Sequence, residues 1–169
     1  MHNVAAGSTY STIATTTLGS STTTVTFSSI PGTYTDLVLV VRADTASGGD
    51  DMRINVNGDS GTNYSTTQFQ GNGTIATSGR RSNFTYAFAD NAYPATTGGF
   101  NSIVNFMNYS NSTTYKTMLM RANRADSATG ATVALWRNTN PITQIVLTIT
   151  NGLSFASGST LTLYGITAA

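Results

Sequence analysis

The sequence predicts an all-β protein, an antiparallel β-sandwich of jelly-roll type with about ten strands. Three observations predict it. The C-terminal stretch 144–166, QIVLTITNGLSFASGSTLTLYGI, holds two runs that alternate apolar and polar residues around a loop of Asn, Gly and Ser. Such alternation sets one face of a strand on a core and the other in solvent. Threonine makes up about a fifth of the chain, which has no Glu and one lysine, Lys116. Thr, Val, Ile, Tyr and Phe favour strands, whereas Glu and Lys favour helices. Turn residues also recur at roughly the 8–12-residue spacing of sandwich strands.

Residues 10–17 and 22–28 flank Leu18-Gly19-Ser20-Ser21 and read as an opening hairpin. In the turn IPGTY at 30–34, Pro31 sets φ and Gly32 is free to take a positive one. Residues 36–43, DLVLVVRA, form an unbroken apolar run that suits a strand covered on both faces. A strand at 52–57 ends in Asn57-Gly58, a favoured hairpin dipeptide. Strands at 63–70 and 82–89 are punctuated by Gly71-Asn72-Gly73. Those at 102–109, 114–121, 132–137, 142–150 and 160–166 complete the set. No linker or composition shift divides residues 9–169, so one domain is expected, preceded by a flexible arm or docking segment at 1–8. The longest polar gaps, 44–51 and 90–99, are expected at the ends of the sandwich, where binding loops cluster.

Composition excludes several function classes. With no cysteine, the chain has no disulfide framework, thiol nucleophile or cysteine zinc site. Only 9% of residues are charged and the net charge is +1, so nothing electrostatic recommends nucleic acid or an anionic membrane as partner. No apolar run approaches the roughly 20 residues of a spanning helix. Residues 1–7 lack the basic and apolar segments of a secretory signal, which leads to an expectation of synthesis in a cytosol.

The residue inventory argues against an enzyme and implies no cofactor. His2 is the only histidine and lies in the arm, too poorly held to serve as the base of a Ser-His-Asp triad. All seven acids are Asp, mostly in turns, where Asp caps local amides. A glycosidase pair would need one acid and one base or nucleophile held opposite each other. Asn55, Asn57 and Asp59 space three oxygens at alternate positions, faintly like the start of a calcium loop. Its glycine comes a place late and no Glu closes it, and a plain turn explains the same residues. Five Asn-x-Ser/Thr matches, at Asn63, Asn72, Asn83, Asn108 and Asn111, are what chance yields in so Asn- and Thr-rich a chain.

Alternation in Phe84-Thr85-Tyr86-Ala87-Phe88 puts three rings on one face, which favours a core role. Tyr93 and Trp136, beside loops, are the rings to test for partner or glycan contact. Arg80 and Arg81 adjoin in a predicted loop, and Arg121 and Arg124 lie close together. In so uncharged a chain these arginines suit either pairing across an interface or plain solvation.

Several segments in combination resemble a known group. They are FSSIPGTYTDL at 27–37, INVNGDSGTNY at 54–64, Leu135-Trp136, and the closing strand that ends Leu163-Tyr164-Gly165-Ile166. Over about residues 24–166 the chain resembles a group of tailed-bacteriophage virion proteins. The resemblance implies a virion surface role on a jelly-roll scaffold, assembled in the host cytoplasm, with no catalytic residues. The role it suggests first is capsid decoration (cement). Its partners would be the major capsid protein and further copies of the chain, as a homotrimer. A receptor- or glycan-binding module of a tail fibre or baseplate, with a host surface glycan as ligand, is the alternative.

Overall fold

The computed structural model describes residues 9–89 and 92–167; the arm expected at 1–8 lies outside them. Twelve strands run through the described residues. They are β1 (Tyr10–Thr17), β2 (Thr24–Phe27), β3 (Asp36–Ala43), β4 (Met52–Val56), β5 (Tyr64–Gly71) and β6 (Ala76–Phe84), then β7 (Ala87–Ala89), β8 (Phe100–Met107), β9 (Lys116–Arg124), β10 (Ala128–Trp136), β11 (Ile145–Ile149) and β12 (Thr160–Ile166). The larger sheet is ordered β1-β12-β3-β8-β9-β10-β5-β6 and the smaller β2-β11-β4-β7. Every pairing is antiparallel.

The pairings nest. β1 pairs with β12, β2 with β11, β3 with β8 and β4 with β7. A ribbon whose first strand meets its last, and so on inward, wrapped across two sheets, is a jelly roll. Two hairpins are spliced into it: β5–β6 between β4 and β7, and β9–β10 between β8 and β11. Both extend the larger sheet beyond β8, so that sheet is twice as wide as its partner.

Three local expectations need correction. β1 and β2 do not form an opening hairpin, because they lie in different sheets. Their connection is tied instead to the 155–159 segment, through Leu18 N–H to Ser159 O (2.9 Å) and Gly158 N–H to Leu18 O (2.7 Å). The strand expected at 82–89 is two strands, with a break at Thr85-Tyr86. Asn57 (φ 53°) and Gly58 (φ 67°) do supply the paired positive φ values of a type I′ turn, closed by Asp59 N–H to Val56 O at 3.0 Å. That turn leads from β4 in the smaller sheet to β5 in the larger, so it makes a corner and not a hairpin.

The core lies between the sheets. Leu37, Leu39 and Val41 of β3 and Val104 and Phe106 of β8 face Met52, Ile54, Ile145 and Leu147. Burial alternates strictly along β4 and β11. Each such side chain contributes about 1.5–3 kcal/mol on leaving water. At one end of the sandwich, loop 44–51 meets the 92–99 segment, through Thr45 N–H to Ala95 O (2.9 Å) and Asp50 N–H to Pro94 O (3.2 Å). The connections 28–35, 57–63 and 137–144 meet at the other end, tied by Ile30 N–H to Thr143 O (3.0 Å) and Asn57 N–H to Gln144 O (3.0 Å).

Candidate functional site

The segments 27–37, 54–64, 135–136 and 163–166 fold into two latches. In the first, the Asp59 carboxylate accepts the Trp136 indole N–H at 2.6 Å, the Asn63 amide at 2.9 Å and the Gly61 backbone N–H at 2.8 Å. Tyr64, fully buried, accepts the Val56 N–H on its hydroxyl at 3.1 Å. Trp136 is therefore not a ring offered beside a loop: it is 1% exposed and inside the core. Its neighbour in sequence is a loop, but its hydrogen-bond partner comes from a corner far away along the chain.

The same bonds describe the calcium candidates. Asn55 donates to Asp59 O and Thr85 O, at 3.2 and 2.7 Å. Asn57 donates to Pro141 O at 2.7 Å and accepts the Thr143 and Gln144 amides at 2.8 and 3.1 Å. Asp59 is ringed by N–H donors. The three side chains point to different partners and do not converge as cation ligands, which would need bare oxygens aimed at one point.

Burial works to raise the Asp59 carboxyl, but donation from Trp136, Asn63 and Gly61 outweighs it and holds the group below its ordinary 3.8. Burial pushes the Tyr64 phenol up to about 12, and the Asp59 charge adds to this. A carboxyl lowered by folding stabilises the fold above its unfolded value and loses that effect as pH falls through the folded one. A phenol raised by folding stabilises below its unfolded value and loses that effect as pH climbs towards the folded one. Urea midpoints should therefore hold steady in between and fall below about pH 4 and above about pH 10, with a limiting slope near 1.4 kcal/mol per pH unit for each proton. Asp59→Asn should flatten the acid flank and Tyr64→Phe the alkaline flank. Flanks identical to the wild type in both variants would contradict this assignment.

The second latch joins IPGTY to LYGI. Gly165 in β12 packs directly under the Tyr34 ring, and a Cβ at that position would overlap the ring atoms. The Thr35 N–H bonds Ile166 O at 2.8 Å, and Tyr109 donates its hydroxyl to Pro31 O while accepting the Tyr34 N–H at 3.3 Å. Both latches hold the fold; neither presents groups to a ligand.

Tyr93 is at the surface, in the 92–99 segment at the loop end. The Arg124 guanidinium lies 4.8 Å from its ring centroid, donates to Tyr93 O at 3.1 Å, and pairs with Asp126 at 2.8 Å. Arg124 thus finds its carboxylate within the chain. Beside it the β5–β6 and β9–β10 tips leave an open cleft of about 460 Å³, lined by Asn72, Gly73 and residues 123–129.

Arg80 and Arg81 lie in β6 and not in a loop, and alternation sends them to opposite sides. Arg81 covers the Phe88 ring at 4.0 Å and Arg53 covers Tyr86 at 4.2 Å. The three rings expected in the core do meet, with Phe84–Phe88 and Tyr86–Phe88 centroids 5.3 and 4.6 Å apart. Only Phe84 touches the main core, however; Tyr86 and Phe88 form an arginine-capped cluster beside it. Arg80 lies on the outer face of the larger sheet, opposite Thr67.

That outer face is the feature the sequence reading missed. Phe69 is 64% exposed, Met107 50%, and Leu119 and Val133 44% each. Val133 pairs across the ladder with Leu119 on one side and Thr67 on the other. Ala131 likewise sits between Arg121 and Phe69. The signal was available in Met118-Leu119-Met120 and Val133-Ala134-Leu135-Trp136. These runs are apolar at successive positions, so both strand faces are apolar, and the fold covers only one. The same holds for β3, where the expected double cover is incomplete and Val40 is exposed. No protein-family model matches the chain, and no curated protein is similar to it.

Proposed function

We propose that the protein is a structural component of a tailed-bacteriophage virion, most specifically a capsid decoration (cement) protein. The single observation that supports this reading best is the eight-stranded outer face, broad and studded with large exposed apolar side chains. Its exposed central patch of Phe69, Leu119 and Val133 has the character of a docking surface. The resemblance of residues 24–166 to virion proteins supplies the setting. The action is adhesive: each copy buries its face across neighbouring capsomers, and its binding energy opposes expansion of the shell by packaged DNA. Loops and outward Thr, Ser and Asn keep the remaining surface soluble.

Copy number per particle tests this. Copies in the hundreds fit decoration of a shell, whereas a handful would place the protein in the tail. Leu119→Thr and Val133→Thr should each shift stability by no more than about 0.5 kcal/mol, as exposed positions do, while lowering the number of copies retained on particles. Unchanged retention would count against the face. The tail-tip, glycan-binding reading is favoured by one observation, the cleft beside Tyr93 and Arg124. Specific glycan binding abolished by Tyr93→Ala would promote it over decoration.

A further inference from the structure

We infer that the outer face of the larger sheet docks an acidic protein surface, one that sets an apolar side chain between carboxylates. This deepens the decoration reading and rests on it for the choice of face. The face is graded across its strands. In its middle, Phe69, Leu119, Ala131 and Val133 line a shallow apolar depression of about 430 Å³. On one flank a depression of about 260 Å³ is bordered by Arg80, and on the other one of about 290 Å³ is bordered by Arg121.

The charges settle the sign of the partner. Among the described residues neither Arg80 nor Arg121 has an ion pair or hydrogen bond. Strands β5, β6, β8, β9 and β10 contain no acidic residue at all. Two guanidiniums therefore flank an apolar trough, and the five strands that form and border it carry no charge of opposite sign. Arginine in such a setting is suited to bidentate pairing with carboxylates. The same arrangement disfavours a second copy docked face to face, since that would set guanidinium against guanidinium across an apolar contact. A basic partner would be repelled by both flanks.

The test uses the full chain and two short synthetic peptides, one alternating Asp with Leu and the other Lys with Leu. Amide shifts are followed by NMR during titration. The Asp/Leu peptide is expected to perturb Phe69, Leu119 and Val133 together with Arg80 and Arg121, and the Lys/Leu peptide to leave them unmoved. The double variant Arg80→Gln, Arg121→Gln, both exposed positions, should keep the wild-type urea midpoint and bind the acidic peptide about fivefold to tenfold more weakly. Equal response to both peptides, shifts centred on another surface, an undiminished affinity in the variant, or self-association through these residues would each overturn the inference. The outcome does not depend on copy number, so failure of the face's chemistry and failure of the virion assignment are separately visible.

Discussion

Trp136→Ala is expected to remove about 3–5 kcal/mol of stability, the usual cost of emptying a large buried aromatic site. The effect has two parts. The ring fills the core where β10 ends, and its loss leaves a cavity that well-packed neighbours close only partly. The indole N–H is also the shortest donor to Asp59, so the carboxylate loses one of the bonds that keep it charged when partly buried. Trp136→Phe separates the two, keeping most of the volume and deleting the donor, at about 1–2 kcal/mol. Asp59→Ala should cost about 1–3 kcal/mol by orphaning the buried indole. The Trp136→Phe, Asp59→Ala double variant should then lose less than the sum of the singles, because the pair acts through one shared bond. Strict additivity in urea unfolding would contradict the latch.

Gly165→Ala should cost about 1–3 kcal/mol, although alanine is otherwise tolerated in strands. The reason is the Tyr34 ring, which occupies the space a Cβ would need. Moving the ring disturbs the turn beside Pro31, where Tyr109 bonds Pro31 O and the Tyr34 N–H. Tyr34→Ala on its own should also destabilise, through loss of partly buried aromatic area. In the Tyr34→Ala background, however, Gly165→Ala should become nearly neutral. A Gly165→Ala penalty that persists there would mean the ring is not its cause.

These latches show what was legible in the sequence and what was not. The bounds of β1, β3 and β12 were legible to the residue. β12 alternates apolar with polar positions, β3 is an unbroken apolar run, and β1 ends at the turn residues Leu18-Gly19-Ser20-Ser21. β6 had no such pattern to offer. As an edge strand it is exposed along most of its length, and adjacent arginines in ATSGRRSNF look like a loop while guarding an open sheet edge. The role of Trp136 was hidden for another reason. Its position next to a loop suggested exposure, and only the fold brings the 57–63 corner onto it. The motifs that suggested a family, IPGTY with LYGI and NGDSGTNY with Leu135-Trp136, turn out to be pairs that touch. Packing therefore accounts for these pairs, whereas the apolar runs of the outer face are plain in the sequence and their lack of cover is visible only in the sheet order.

The most direct test of the account is oxidation of Met107 by dilute peroxide and, in parallel, nitration of Tyr93 by tetranitromethane, each mapped by mass spectrometry in the free protein and on intact particles. Met107 stands half exposed on the outer face, while Met52, Met118 and Met120 are buried. Rapid sulfoxide formation in the free chain, with strong protection on the particle and Tyr93 still open to modification, is the predicted result. Met107 oxidised equally fast in both states, with Tyr93 shielded on the particle, would mean that the protein attaches by its loop end and that the broad sheet face is not its contact surface.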